Sequence, residues 1–415
     1  MNWANQFNIC CFLDNHNYNF IPSTFECLAG VGAASIFAPT ENILSGLEEF
    51  TKDNQDWLFG HLGFDLKAET AKVPTSKKDQ LGFTDIFLFR PETVLFVDRS
   101  AVTISSLNRQ PSEILTEIQG QNQCFPSDSP KRCRIRSGIQ KEKYIRIVEK
   151  LQDHIRRGDC YEINFCQEFF SENAQIDPLS TYGELLTISP TPFAGYYKID
   201  DKYLLCASPE RFLKKDGKEI ISQPVKGTSK RNQKNPMEDE RLKNELYASP
   251  KERSENVMIT DLVRNDLSRI CREGSVLAEK LYEIQSFEGI HQMVSSVRGV
   301  LTEEVKFPEI LRATFPMGSM TGAPKNKVLN LIEKYESSKR GLYSGSLGYI
   351  TPENNFDWNV VIRSIQYNSS TKYLSFHVGS AITFLSNADQ EYKECLLKGA
   401  AITKTLTGNP HLPSL

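Results

Sequence analysis

Apolar residues recur along this chain at two spacings. Between Asp85 and Phe89, and again between Thr93 and Val97, they form short β-branched or aromatic runs separated by the turn Arg90-Pro91-Glu92, which predicts two strands. In KYIRIVEKLQDHIRRG, which starts at Lys143, Ile145, Val148, Leu151 and Ile155 fall at helical spacing and Gly158 supplies a stop. Strand-like runs follow at Tyr161–Phe170, Phe193–Tyr197 and Tyr203–Ala207. The capping pattern Ser249-Pro-Lys-Glu252 opens a helix that is predicted to run through RSENVMITDLVRNDLSRICR to Gly274, and residues 389–406 read as another. Strands follow one another with helices interspersed, without a regular βαβα rhythm or an internal repeat. That order predicts an α+β fold built on mostly antiparallel sheet.

The chain has 415 residues, 39% hydrophobic and 24% charged, close to globular averages, which excludes a disordered or fibrous protein. Residues 120–137, GQNQCFPSDSPKRCRIRS, are polar and aperiodic. They divide the chain into an N-terminal region, 1–119, a linker, 120–137, and a region 138–407 that reads as one intertwined core. The net charge of −3 provides no general basic field, so nucleic acid is not an expected partner. The basic stretch Lys131–Arg136 reads as a solvated face of the linker. None of the ten cysteines forms C-x-x-C or a zinc-like grouping, which predicts reduced thiols. Met1–Asn8 lacks a basic start followed by a long apolar run, and the weakly polar Cys27–Pro39 is shorter than the roughly 18 residues that span a bilayer. A cytoplasmic protein without a membrane partner is expected.

Candidate chemistry is concentrated in three places. Glu252 and Glu255 share a helix face, and Glu255, four before Ile259, lies toward the apolar side. A carboxylate aimed at a core needs a partner, for which a cation is one candidate, whereas Glu252 reads equally well as a helix cap. Glu391 and Glu394 repeat the i,i+3 spacing, with Lys398 four beyond Glu394, and taken alone read as an exposed ion-paired face. Two such pairs facing each other would suit Mg²⁺, which prefers oxygen ligands. Lys226, beside Gly227 in QPVKGTS, is ordinarily a surface lysine, and its chemical alternative is a nucleophile. An unperturbed lysine is neutral in only about one molecule in two thousand at pH 7, so that role calls for a lowered pKa.

PVKGTSKR, ERSENVMITDLVRNDLSRI, ATFPMGSMTGAPK, LYSGSLGYI, VVIRSI and EYKECLLKGAAI occur in this order. Together they resemble the chorismate-utilising enzymes, a family that includes the component I subunits of anthranilate synthase and aminodeoxychorismate (para-aminobenzoate) synthase. The resemblance covers about residues 140–405 and implies an anthranilate-synthase-like α/β sandwich of mostly antiparallel sheets flanked by helices. By motif position it implies a Mg²⁺ site at Glu252, Glu255, Glu391 and Glu394, with Glu255 and Glu394 as the leading ligands. Arg363 and Tyr343 match the pair that grips the enolpyruvyl carboxylate. Thr228, Gly379 and Lys398 match other substrate contacts, and Glu210 in ASPERF matches the acid that assists departure of the ring hydroxyl.

Lys226 separates the subfamilies, because anthranilate synthases resemble PIAGT at this loop and aminodeoxychorismate synthases PIKGT. The resemblance therefore implies amination of chorismate to 4-amino-4-deoxychorismate through a covalent Lys226 adduct, serving para-aminobenzoate and folate synthesis. The alternatives are an anthranilate synthase component I and a non-catalytic member acting as an assembly partner. No glutaminase triad is recognisable, so ammonia is expected from a separate glutamine amidotransferase subunit. Isochorismate and salicylate synthases carry a lysine base where this chain has Glu162, which disfavours water as the nucleophile. Two departures stand out. Ala381 replaces a glycine in a GAGI-like turn, and His291 lies one position early, with Gln292 where a histidine is usual.

Overall fold

The computed structural model describes residues 1–18, 25–121, 132–303 and 305–410. Among them, two large antiparallel sheets dominate, as an α+β reading requires. One sheet runs from Gly322–Ala323 through Glu162–Ser171, Tyr373–Ile382, Ser364–Asn368, Lys202–Ser208 and Phe193–Ile199. It continues through Ile9–Asp14, Cys27–Val31, Thr93–Val97 and Val102–Ser106. The other runs from Val225–Lys230 through Ile290–Val300, Glu219–Gln223, Arg211–Asp216 and Phe356–Asn359. It ends with Ser346–Ile350, Leu58–Leu62, Ile86–Arg90 and Ser35–Phe37. Strands from the first hundred residues therefore complete both sheets. Ile9–Asp14 lies against Phe193–Ile199, and Leu58–Leu62 against Ser346–Ile350.

Of the linker, residues 122–131 lie outside the described residues. The stretch after it is anchored, because Ile135 is buried and the Cys133 N–H donates to the Leu406 carbonyl. Nine cysteines are free, seven of them buried as small apolar groups, and Cys124 lies outside the described residues. Among the described residues no helix is long and apolar enough to cross a membrane.

Local signals in the sequence are mostly realised. The helix Lys141–Arg156 buries Val148, Leu151 and Ile155 as expected. Its core face also takes in Tyr144 and Ile147, while Ile145 is only half-buried. Ser249 caps the helix Pro250–Ser268 by accepting from the Glu252 N–H at 3.4 Å. That helix ends at Ser268 and not at Gly274, since Cys271 leaves it to bridge Leu301 and the Thr302 N–H donates to Ile270. The segment 389–406 is likewise two helices, Ala388–Lys398 and Ala400–Thr407, joined at Gly399. Ala381 lies inside the strand Tyr373–Ile382, opposite Asn164, and has no positive φ, so the glycine it replaces is not needed for a turn.

One buried cation ties these layers together. Arg340 grips Glu336 with two hydrogen bonds, Nε to Oε2 at 2.9 Å and an Nη to Oε1 at 2.6 Å. It also donates to the carbonyls of Met320 and Asn164, and its guanidinium lies 4.3 Å from the Phe64 ring centroid. Glu336 in turn accepts from the Cys166 N–H. Removing one member of a buried pair leaves the other uncompensated. Glu336→Ala should therefore cost about 3–5 kcal/mol in urea unfolding, against under about 1 kcal/mol for Asp261→Ala, which breaks an exposed pair with Arg264. Equal costs would contradict this role for Arg340.

Candidate active site

The strand Val225–Lys230 forms the rim of one sheet, and Glu162–Ser171 lies one strand in from the rim of the other. Glu162 is carried on the rim-facing end of its strand, where Ala323 pairs with it and Gly322 with Ile163. Gly322, at φ +139°, lets the backbones come this close, since a Cβ there would lie 2.1 Å from the Glu162 carbonyl oxygen. Lys226 reaches across from the opposite sheet, and its Nζ donates to Glu162 Oε1 at 2.8 Å. Both side chains are nearly closed off from solvent, and the second Glu162 oxygen has no hydrogen-bond partner. Gly227, at φ +90°, makes room for the Pro250–Ser268 helix, because a Cβ there would meet the Glu252 carboxylate at 2.9 Å.

The surroundings of Lys226 do not lower its pKa. Burial works to neutralise Lys226, but Glu162, Glu255 and Glu210 outweigh it and hold the amine above its ordinary pKa. Lys226 is thus a buried ammonium with a proton acceptor in contact, not a desolvated free amine. Glu210 shows the opposite balance. Burial raises its carboxyl to about 7 against the Ser319 hydrogen bond and the charges of Lys226 and Arg363. Arg363 adopts φ +50°, and burial lowers it to about 10 while Glu210 opposes the shift.

The two glutamate pairs come together around Lys251 and Lys398. Glu255 and Glu391 are buried, and Glu252 and Glu394 are partly so. Burial raises Glu255 to about 7, countered mainly by Lys226, and leaves its Oε1 without a hydrogen-bond partner. The Lys251 ammonium lies 3.6 Å from Glu391, 3.9 Å from Glu255 and 4.0 Å from Glu394. Among the described residues, no three His, Cys, Asp or Glu side chains are already arranged as a closed metal cage. The donor set still fits a hard divalent ion: all oxygen, partly buried, with one orphaned carboxylate oxygen and a cation already drawn to it. Lys398 joins this cluster to the strand Tyr373–Ile382 by pairing with Glu394 at 2.8 Å and donating to the Gly379 carbonyl at 3.2 Å. Gly379 is needed for contact with the neighbouring strand, because a Cβ there would lie 2.5 Å from Cys166 Sγ.

Other candidates sit at the margins of this group. Thr228 is exposed, opposite Gln292 in the sheet. Tyr343 is buried, stacked on His377 with its hydroxyl 3.9 Å from Cys166 Sγ. His291 has a structural part, since it bridges Ser286 and Asp239 and so ties three elements together. Three members escaped the sequence reading as site residues: Glu162, Ser319 and Lys251. A charged residue in the apolar run YEINF was the available signal for Glu162, and the i,i+4 spacing of Lys251 to Glu255 was the signal for Lys251.

Comparison with known proteins agrees with this geometry. The family described as chorismate binding enzyme matches residues 19–404. Aminodeoxychorismate synthase component 1 of Escherichia coli is 30% identical over 353 residues, 85% of this chain and 77% of that protein. An aminodeoxychorismate synthase from Streptomyces pristinaespiralis is 42% identical over 258 residues, 62% of this chain. The chain spans about a third of the length of that relative, the match covering 35% of it. In structure, anthranilate synthase component I of Streptococcus pneumoniae superposes with a TM-score of 0.81 at 23% identity, covering 93% of this chain and 94% of that one, which establishes the shared fold. With the two-sheet architecture, the clustered glutamates and a family match over most of its length, the chain belongs to the chorismate binding enzyme family.

Proposed function

We propose that the chain converts chorismate to 4-amino-4-deoxychorismate, using ammonia from a separate glutamine amidotransferase, on the route to para-aminobenzoate and folate. The observation that carries this reading is a buried Lys226 in contact with Glu162 and within the field of Glu210 and Glu255. A primary amine at this place, with a proton acceptor in contact, suits a nucleophile.

The chemistry follows from the proton positions. Lys226 passes a proton to Glu162 along their 2.8 Å hydrogen bond, and the pair becomes neutral. Its Nζ then bonds to the chorismate ring as the ring C–O bond breaks. Glu210, whose carboxyl burial pushes up to about 7, donates its proton to the departing hydroxyl, which leaves as water. Ammonia forms the new C–N bond, the Lys226–ring bond breaks, and the surplus protons return to Glu210 and Lys226. The pyruvyl ether is untouched throughout. Arg363 and Lys398 supply positive charge for a dianionic substrate. Glu252, Glu255, Glu391 and Glu394 would hold Mg²⁺, which supplies electron withdrawal through the ring carboxylate when bound.

Two outcomes are expected. Purified chain given chorismate, Mg²⁺ and ammonium should form a product that an added lyase converts to para-aminobenzoate. Lys226→Ala should lose this activity by at least about 100-fold. Fluorescent anthranilate formed without the lyase, or an undiminished rate in the variant, would overturn the reading. The second outcome concerns pH. As an acid, Glu210 must carry its proton, and its carboxyl titrates at about 7, so kcat/KM should fall as pH rises through that value. Glu210→Gln should be slower by about 100-fold or more, and its residual rate should lack this alkaline limb. A limb that persists in the variant would assign it to another group.

A further inference from the structure

Lys251 has no part in the chemistry above, yet its ammonium lies within 4.0 Å of three carboxylates of the cluster. Three features define its position. It stands 3.6–4.0 Å from Glu391, Glu255 and Glu394, too far for a good hydrogen bond to any one of them, so it is shared by all three. Its side chain is 44% exposed, while Glu391 beneath it is 3% exposed, so the ammonium sits at the mouth of the cluster with an open path to solvent. It is also on the same helix as Glu252 and Glu255, four residues before the latter, so leaving requires only side-chain rotation. Lys398 is already committed to Glu394 and the Gly379 carbonyl, and Lys226 to Glu162.

We propose that Lys251 is an internal counter-ion that holds the carboxylates of Glu255, Glu391 and Glu394 together before metal binding and swings out when a divalent cation enters. This rests on the reading of Glu252, Glu255, Glu391 and Glu394 as the metal site. Without a cation, a buried Glu255 with an orphaned oxygen, beside Glu391 and Glu394, would repel its neighbours and open the cluster. With Lys251 in place the cluster stays assembled, and the divalent ion must displace an ammonium that is already attracted. Lys251 therefore sets the metal affinity as well as the shape of the site.

Isothermal titration with MgCl₂ in chorismate-free buffer tests this on the full chain, using Lys251→Met, of similar length but neutral, and Lys251→Arg, which keeps the charge. Lys251→Met should bind Mg²⁺ about three- to thirtyfold more tightly than the parent, the factor that two or three part-exposed ion pairs impose, while Lys251→Arg should not. Its melting temperature should be lower than the parent's in EDTA and should rise more on adding Mg²⁺. In the parent, Mg²⁺ should increase labelling of Lys251 by an amine-acetylating reagent, read by peptide mass spectrometry, as the side chain moves into solvent. Equal affinity in the parent and Lys251→Met, with both binding, would overturn the role of Lys251 alone. Absence of Mg²⁺ binding in both would overturn the metal site and the proposal with it.

Discussion

The ion pair of Lys226 with Glu162 joins the two sheets at the point where the rest of the site is assembled. Neither sheet carries the chemistry by itself. One provides the amine on its outermost strand, the other the carboxylate close to its own rim, and the helix Pro250–Ser268 lies where both can be reached. The pair also explains why charges this buried are tolerated. A lone ammonium or carboxylate at either position would face an uncompensated desolvation cost, whereas a contact at 2.8 Å offsets much of it.

Electrostatic bookkeeping at the site is a contest between burial and too many carboxylates. Glu162, Glu210 and Glu255 surround one amine, and two outcomes coexist: the amine is held charged, while Glu210 and Glu255 are pushed toward their protonated forms at about 7. For Lys226 and Glu210 these are the protonation states that the proposed reaction starts from. The amine needs a base, and a base is in contact with it. The leaving hydroxyl needs an acid, and burial pushes the Glu210 carboxyl up to about 7. The same excess of negative charge is met by the part-exposed Lys251 and Lys398 at the glutamate cluster. The global charge of −3 conceals all of this.

Much of the fold was legible because it rests on local periodicity. The helix around Val148 and Leu151 and the strands around Phe165, Tyr196 and Leu205 follow directly from apolar spacing. What escaped is decided by distant contacts. The helix after Ser249 stops short because Cys271 pairs with Leu301 across the chain, and no residue near 268 announces it. The interleaving of Ile9–Asp14 with Phe193–Ile199 has no local signal either. In the site, the glutamate pairs were visible through their i,i+3 spacing, whereas the partnership of Lys226 with Glu162, 64 residues apart, depends on two sheets meeting. The charge state of Lys226 was out of reach for the same reason, since a sequence cannot count the carboxylates that the fold gathers.

The central claim is that the Lys226 nitrogen becomes bonded to substrate. Its most direct test is to mix the chain with chorismate and Mg²⁺ in ammonia-free buffer, quench in acid, and measure intact mass followed by peptide mapping. The account predicts a gain equal to chorismate less one water, located on the peptide that contains Lys226 and lost when ammonium is added before the quench. A preparation that aminates chorismate once ammonium is supplied, yet carries no such mass on Lys226 without it, would contradict the account.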